Sequence, residues 1–277
     1  MEMIYALMDT LLPFEWMSYT FMKNALLAML LITPLFGMLG TMAVDNKMAF
    51  FSDALGHSAL TGIAIGVLLG WKNQMAAMLL FGILWAVLIT FVKHNSKMSA
   101  DTIISVFSST SIALGLVVLS RGGAFAKYSS VLVGDVLSIT HGDLLALLLT
   151  LLAASASWLF LFNPLMITSV NSPLARSRGI RSRLTEYGFT ILVAVAVMVS
   201  IRWVGVMLIN SLLILPAAAS RNVARNAAQY LRLSVLISVV CGVLGLVLSY
   251  YMDTSAGAAV VLLCALVYFA TLPLRRE

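Results

Sequence analysis

Asp53 and His57 are the residues of this chain whose types and spacing best support chemistry. In the run Ser52-Asp53-Ala54-Leu55-Gly56-His57 a carboxylate and an imidazole stand four residues apart. In a helix that spacing sets both side chains on one face. A hard oxygen and a borderline nitrogen suit Mn²⁺, Zn²⁺ or Fe²⁺ better than an alkali ion or an organic solute. A structural reading is open beside this one: Ser52 or Asp53 caps the start of the helix, and His57 bonds a neighbouring helix. Sequence physics leaves the two level, because ionisable groups inside apolar spans are expensive and usually kept for function. One chain supplies only two such ligands, too few for tight binding of a transition metal. A two-fold dimer would set the same helix of each protomer against its partner, raise the number to four and enclose a shared pore.

A second group of residues lies on the longest polar stretch, Asn171-Ser-Pro-Leu-Ala-Arg-Ser-Arg-Gly-Ile-Arg-Ser-Arg-Leu-Thr-Glu186. Pro173 suits a helix start and Gly179 a helix stop. The stretch therefore reads as a short basic helix, either an ordinary basic loop or a rigid knob that docks into a soluble partner. Pro216 ends or kinks a later span, whose end carries Arg221 and Arg225. Other apparatus is missing from the sequence. It contains no phosphate loop of the G-x-x-x-x-G-K-[ST] type, so this chain does not bind and hydrolyse ATP in that way. Nor does it hold H-E-x-x-H, G-x-S-x-G or a cysteine-rich cluster, which argues against an enzyme. Cys241 and Cys264 both sit in apolar runs and read as small buried hydrophobes. The 16 methionines are scattered through the spans as flexible gap-fillers rather than as a soft-metal relay.

The elements that must position these residues are set by composition. Of 277 residues, 61% are hydrophobic and 10% charged, against about a quarter charged in soluble domains. Mean hydropathy is +1.03. An all-α integral membrane protein follows, and a soluble enzyme, a nucleic-acid module and a disordered linker are excluded. Apolar stretches bounded by charge, Gly or Pro run near 22–44, 51–70, 74–93, 101–120, 143–163, 184–201, 204–219, 232–250 and 256–274. That gives a polytopic bundle of about eight to nine helices, with the short segments at 184–201 and 204–219 the weakest of them. If Arg275 and Arg276 lie in the cytoplasm, twelve of the 17 basic residues share that side and five take the other. The positive-inside bias then puts the C-terminus inside and, with nine spans, the N-terminus outside. Asp9, Pro13 and Glu15 interrupt the first twenty residues, which read as an interfacial amphipathic segment rather than a cleavable leader. Gly62, Gly66 and Gly70, Gly37 with Gly40, and Gly242 with Gly245 read as close helix-packing points.

From Phe21 to Arg276 the sequence resembles the permease subunit of the zinc/manganese/iron ABC importers. Three stretches carry the resemblance. Phe51-Ser-Asp-Ala-Leu-Gly-His-Ser-Ala-Leu-Thr-Gly62 is similar to that family's GDALSHAVLPG segment. Gly205-Val-Met-Leu-Ile-Asn-Ser-Leu-Leu-Ile-Leu-Pro-Ala-Ala-Ala-Ser-Arg221 is similar to GVLLVSALLIIPAATAR, and Ser249-Tyr-Tyr-Met-Asp-Thr-Ser-Ala-Gly257 to SYYLDLPSG. Their order and spacing match along nearly the whole chain. The resemblance implies a type II importer architecture, with a permease domain over 21–277 behind the interfacial segment 1–20. It implies a homodimer in the lipid bilayer of a prokaryotic inner (plasma) membrane, a separate cytoplasmic ATP-binding subunit and an extracytoplasmic metal-binding protein. Nucleic acid has no place in it. The cargo is a divalent Zn, Mn or Fe ion, with no covalently bound cofactor. By the same likeness Asp53 and His57 fall on the pore aspartate and histidine. Ser172, Pro173, Leu174, Ala175, Arg176, Ser177, Arg178, Gly179, Arg181 and Arg183 fall on the helices that couple to the ATPase. Gly56 stands where the family usually has Ser, Thr61 where it often has Pro, Ser105 where it has Gly and Ser255 where Pro is common; none of these removes a ligand. The competing reading is a proton-coupled secondary metal transporter working through the same two residues.

Overall fold

The computed structural model describes residues 2–11, 14–121 and 133–274. Among them no strand occurs. A short helix α1 (Glu2–Leu11) and a 3-10 turn (Glu15–Ser18) precede α2 (Thr20–Asp45), α3 (Phe51–Leu68), α4 (Gln74–Asn95), α5 (Ala100–Arg121) and α6 (His141–Val170). The short α7 (Ser172–Ser177) follows, then α8 (Ser182–Val223), α9 (Ala227–Tyr251) and α10 (Ala256–Thr271). Eight of these helices are long and apolar enough to cross a membrane. Several starts are fixed by side-chain caps that satisfy the free N–H groups of a first turn. Asn73 accepts from Ala76 N, Asn171 from Leu174 N and Asn226 from Gln229 N, and Asp143 reaches back to Thr140 N at 2.9 Å.

Short turns join α2 to α3, α3 to α4 and α4 to α5, so the end of α2, the start of α3, the end of α4 and the start of α5 share one face of the bundle, the Asp45 face. The opposite face holds the start of α2 and the start of α6, joined where Asn24 Nδ2 donates to Ile139 O at 3.0 Å. Both ends of α8 return to the Asp45 face. Near its start Glu186 pairs with Lys93 of α4 at 2.6 Å. Near its end Arg221 pairs with Asp45 at 3.3 Å, and Asn222 Nδ2 donates to Thr271 Oγ1 at 3.2 Å. Between them Gly205, at φ 77 and ψ 162, lodges against Val133 and Gly134 of the Asn24 face. The element is therefore two limbs, out to Gly205 and back. Only a residue without Cβ fits there, since a Cβ would collide with Val133 O and a left-handed φ penalises every side chain.

The short segments at 184–201 and 204–219 are the two limbs that meet at Gly205, so the nine expected passages are present in eight elements of spanning length. Pro216 does not end its span: the helix continues through it to Val223, because a lone unpaired carbonyl is tolerated where neighbouring helices enclose the backbone. Gly70 also falls away from its expected stripe, lying beyond the end of α3 at φ 69.

With the faces assigned, the described basic residues segregate. Lys47, Lys93, Lys97, Arg176, Arg178, Arg181, Arg183, Arg221, Arg225 and Arg232 belong to the Asp45 face, whereas Lys23, Lys72, Arg121 and Arg202 belong to the other. Lys127, Arg275 and Arg276 lie outside the described residues. Helix α1 rests on the Asn24 face. Lys23 Nζ meets Asp9 at 2.6 Å, and the Tyr5 hydroxyl reaches Asn24 Oδ1 and, at 3.2 Å, His141 Nδ1.

Small residues and hydroxyls hold the interior together, as expected where lipid offers no hydrophobic driving force between helices. Ser234 Oγ donates to Gly37 O at 2.6 Å and Ser238 Oγ to Thr33 O at 2.7 Å, fastening α9 to α2. Gly40 lets α2 touch the backbone of Leu213 in the second limb of α8. Gly62 and Gly66 admit Met78 and Ala77 of α4. Helices α3 and α8 are the most buried of the spanning set, and α5, α6 and α10 the most exposed.

Candidate metal site at Asp53 and His57

Helix α3 is walled on two sides. Gly62 and Gly66 seat it on α4, and Gly56 seats it on Val206 of α8. On a third side Thr61 Oγ1 donates to Ser111 O of α5 and lies 3.1 Å from Ser111 Oγ. Ser52, Ala54, Leu55, Gly56, Ser58, Ala59 and Leu60 are buried in these contacts. Asp53 and His57 are the residues of that stretch left reachable, with 38% and 27% of their side chains exposed. The spacing that the sequence pointed to thus becomes one open stripe on an otherwise enclosed helix. Beside the stripe the second limb of α8 presents Asn210.

The carboxylate is held from the side. Asn210 Nδ2 donates to Asp53 Oδ1 at 2.8 Å, and Asn210 Oδ1 accepts from Ser52 Oγ at 2.5 Å. Because the buried Ser52 hydroxyl occupies the amide oxygen, the amide nitrogen must face Asp53. The second carboxylate oxygen is thereby left toward His57, whose Nε2 lies 3.6 Å away. That separation is too long for a hydrogen bond. It fits two ligands of one ion, since tetrahedral coordination at about 2.1 Å per donor puts the donors roughly 3.4 Å apart. The helix-cap reading is not what the side chains do: the residue before α3 is Phe50, no side chain caps this start, and Ser52 and Asp53 both engage Asn210 instead. Among the described residues no group of three or more His, Cys, Asp or Glu is gathered for a metal, so one protomer offers the ion two strong donors.

Asn210 was not singled out in the sequence, although a visible signal marks it: an amide inside the apolar run Val206-Met-Leu-Ile-Asn-Ser-Leu-Leu-Ile214. The second histidine, His94, was also passed over; it lies beside Lys93 at the carboxylate of Glu186.

The basic stretch folds as a separate unit at the Asp45 face, packed chiefly on α6 and α8. Helix α7 starts at Ser172, has Pro173 in its first turn and ends with Ser177, capped by Arg178. Gly179 takes φ 73 and turns the chain through Arg181 into α8. Ala175 is fully buried, while Leu174, Arg176, Arg178, Arg181 and Arg183 are exposed. None of these arginines forms a salt bridge with a described residue. The segment is a short prong carrying one exposed leucine and several arginines that form no ion pair among the described residues.

The chain is similar to known membrane proteins over nearly its whole length. A sequence model of the ABC 3 transport family matches residues 18–275. The chain is 30% identical over 249 residues to the high-affinity zinc uptake system membrane protein ZnuB of Haemophilus influenzae, covering 90% of this chain and 95% of the relative. It is 28% identical over 263 residues to the manganese import system permease protein ScaB of Streptococcus parasanguinis, covering 94% of each. Among solved structures, PsaBC from Streptococcus pneumoniae in complex with Fab superimposes with a TM-score of 0.80 at 26% identity, covering 98% of this chain and 95% of that one.

Proposed function

The chain belongs to the ABC 3 transport family as a membrane permease subunit of a metal-ion ABC importer, and from that premise we propose that two copies form the conduit of an ATP-driven uptake system for zinc, manganese or iron. Asp53 and His57 of each protomer line the shared path on the dimer axis. The observation that carries this reading is the open stripe on α3: a carboxylate fixed by Asn210, an imidazole one turn away and a donor spacing that suits one ion. Two donors per protomer compensate the partial dehydration of the ion, while the shortage of further donors keeps binding weak enough for release. The ion is the substrate and leaves the site in every cycle.

The Asp45 face is cytoplasmic, by its excess of Lys and Arg, and the chain sits in the plasma (inner) membrane of a prokaryote with its C-terminal end inside. A separate ATP-binding subunit docks on the prong at residues 172–183, whose exposed Leu174 and unpaired arginines suit an apolar socket with an acidic rim. An extracytoplasmic metal-binding protein delivers the ion to the Asn24 face. ATP-driven closure of the nucleotide-binding subunits moves the prongs and shifts the protomers between outward-open and inward-open arrangements.

The test is uptake of zinc or manganese into vesicles that hold the chain with its ATPase and binding protein. His57→Ala should abolish uptake while the complex still assembles. Uptake at the unaltered rate would remove the pair from the path. Uptake that outlasts ATP depletion and stops when the proton gradient collapses would replace the importer with a proton-coupled carrier.

A further inference from the structure

The ion path makes no use of Glu186, which stands in the first turns of α8 with 15% of its side chain exposed. A carboxylate buried to that degree is costly unless it is paired, and Glu186 Oε1 accepts from Lys93 Nζ at 2.6 Å. His94 Nε2 lies beside the same carboxylate, 3.1 Å from Oε2, without hydrogen-bond geometry; both residues stand in the last turn of α4. Lys93 and His94 are themselves largely buried. Next to Glu186 the Tyr187 ring lies 5.9 Å from the His94 ring, and one turn deeper Thr90 Oγ1 donates to Thr190 Oγ1 at 3.1 Å. The end of α4 and the start of α8 are therefore joined by charge, ring contact and hydroxyl bond at successive levels.

The chain leads directly from the prong into this joint. Residues 178–181 turn out of α7 and enter α8 at Ser182, four positions before Glu186. A cavity of 770 Å³ separates them, lined by His94, Thr168, Arg176, Arg181, Glu186 and Tyr187 among others. A displaced prong would spend its motion in that space unless the start of α8 were held to the rest of the bundle. Helix α4 in turn seats Ala77 and Met78 against Gly66 and Gly62 of α3, the helix that carries Asp53 and His57.

We propose that Glu186 is a positioning residue which, through Lys93 and His94, makes the prong at 172–183 and the α3–α4 pair move as one body, so that nucleotide-driven motion reaches Asp53 and His57. The proposal rests on the importer function above and supplies the two-ended physical connection that coupling between distant sites requires. The experiment uses the whole complex in vesicles, with zinc as probe, and reads two quantities: ATP hydrolysed, and zinc ions imported per ATP. Glu186→Gln should keep assembly and basal ATP hydrolysis within twofold and lower the ions imported per ATP at least tenfold. Lys93→Gln, which leaves the carboxylate with only its His94 neighbour at 3.1 Å, should fall between. Glu186→Gln with the wild-type import ratio overturns the proposal. Should that variant fail to assemble, the double variant Lys93→Gln with Glu186→Gln, which leaves neither charge of the Lys93–Glu186 pair behind, is read the same way; loss of assembly in both reduces Glu186 to a structural strut and overturns it too. The importer reading fails separately, by absence of ATP-dependent zinc uptake in the unaltered complex.

Discussion

Replacing Asn210 by Ala tests how the proposed ion site is held without touching Asp53 or His57. The amide donates to Asp53 at 2.8 Å and is itself oriented by Ser52 at 2.5 Å. A hydrogen bond to a charged group contributes about 1.5–3 kcal/mol. Asp53 keeps 38% of its side chain exposed, so water replaces part of the lost bond and the lower end of that range applies. At about 1.4 kcal/mol per tenfold change, the affinity of the path for zinc or manganese should fall about tenfold, at the weak end of the roughly 10–100-fold typical of lost partners to metal ligands. In vesicles holding the full complex, the metal concentration at half-maximal uptake should rise by that factor, with ATP hydrolysis and assembly close to normal. Ser52→Ala should give a smaller rise, because the amide loses only its orientation. A half-maximal concentration unchanged in Asn210→Ala would refute the argument that the carboxylate must be held from α8 to take an ion with His57.

Three further outcomes follow from single contacts. Gly205→Ala should cost more than the roughly 1–2 kcal/mol of a left-handed residue, because its Cβ also meets Val133 O; a fall of several degrees in the melting temperature of the solubilised protein is expected, and an unchanged value would mean the bend is not fixed by that residue. Thr61→Val keeps the shape but removes the hydroxyl from Ser111, and should lower stability by roughly 0.6–2 kcal/mol, read as a lower denaturation midpoint. Charge reversal of Arg176, Arg181 and Arg183 together to Glu should strip the ATPase from the permease in a pull-down at low salt and leave zinc binding by the permease intact; retained ATPase would exclude these arginines from the docking surface.

Much of this was legible before the fold. Hydropathy located the spans because a lipid-facing backbone must satisfy its own hydrogen bonds, which leaves helices as the form such runs can take. The pair at 53 and 57 was legible because four-residue spacing on a helix is a geometric fact, independent of tertiary contacts. Asn210 was not, because its role depends on the second limb of α8 lying beside α3, and that adjacency is created by the bend at Gly205, 148 residues beyond His57 in the chain. Local pattern gave Pro216 the role of ending or kinking its span. Enclosure reversed the order: a proline inside a packed helix loses one hydrogen bond, whereas a glycine at φ 77 redirects the chain. Glu186 was hidden for a related reason. In sequence it ends a basic loop, and only the return of α8 to the end of α4 makes it the shared partner of Lys93 and His94.

The exposure of Asp53 and His57 in a single protomer is itself an argument about assembly. A charged aspartate turned to hydrocarbon costs about 2.5–3.5 kcal/mol on insertion scales, and among the described residues the only basic group paired with Asp53 is His57. The Asn210 amide brings a further polar group to the same stripe. In the dimer proposed above, a second copy set across this stripe would take the carboxylate out of lipid and leave the polar groups facing water along the axis. The same step would double two donors to four, so what keeps the carboxylate out of lipid would also let the protomer pair pass a divalent ion.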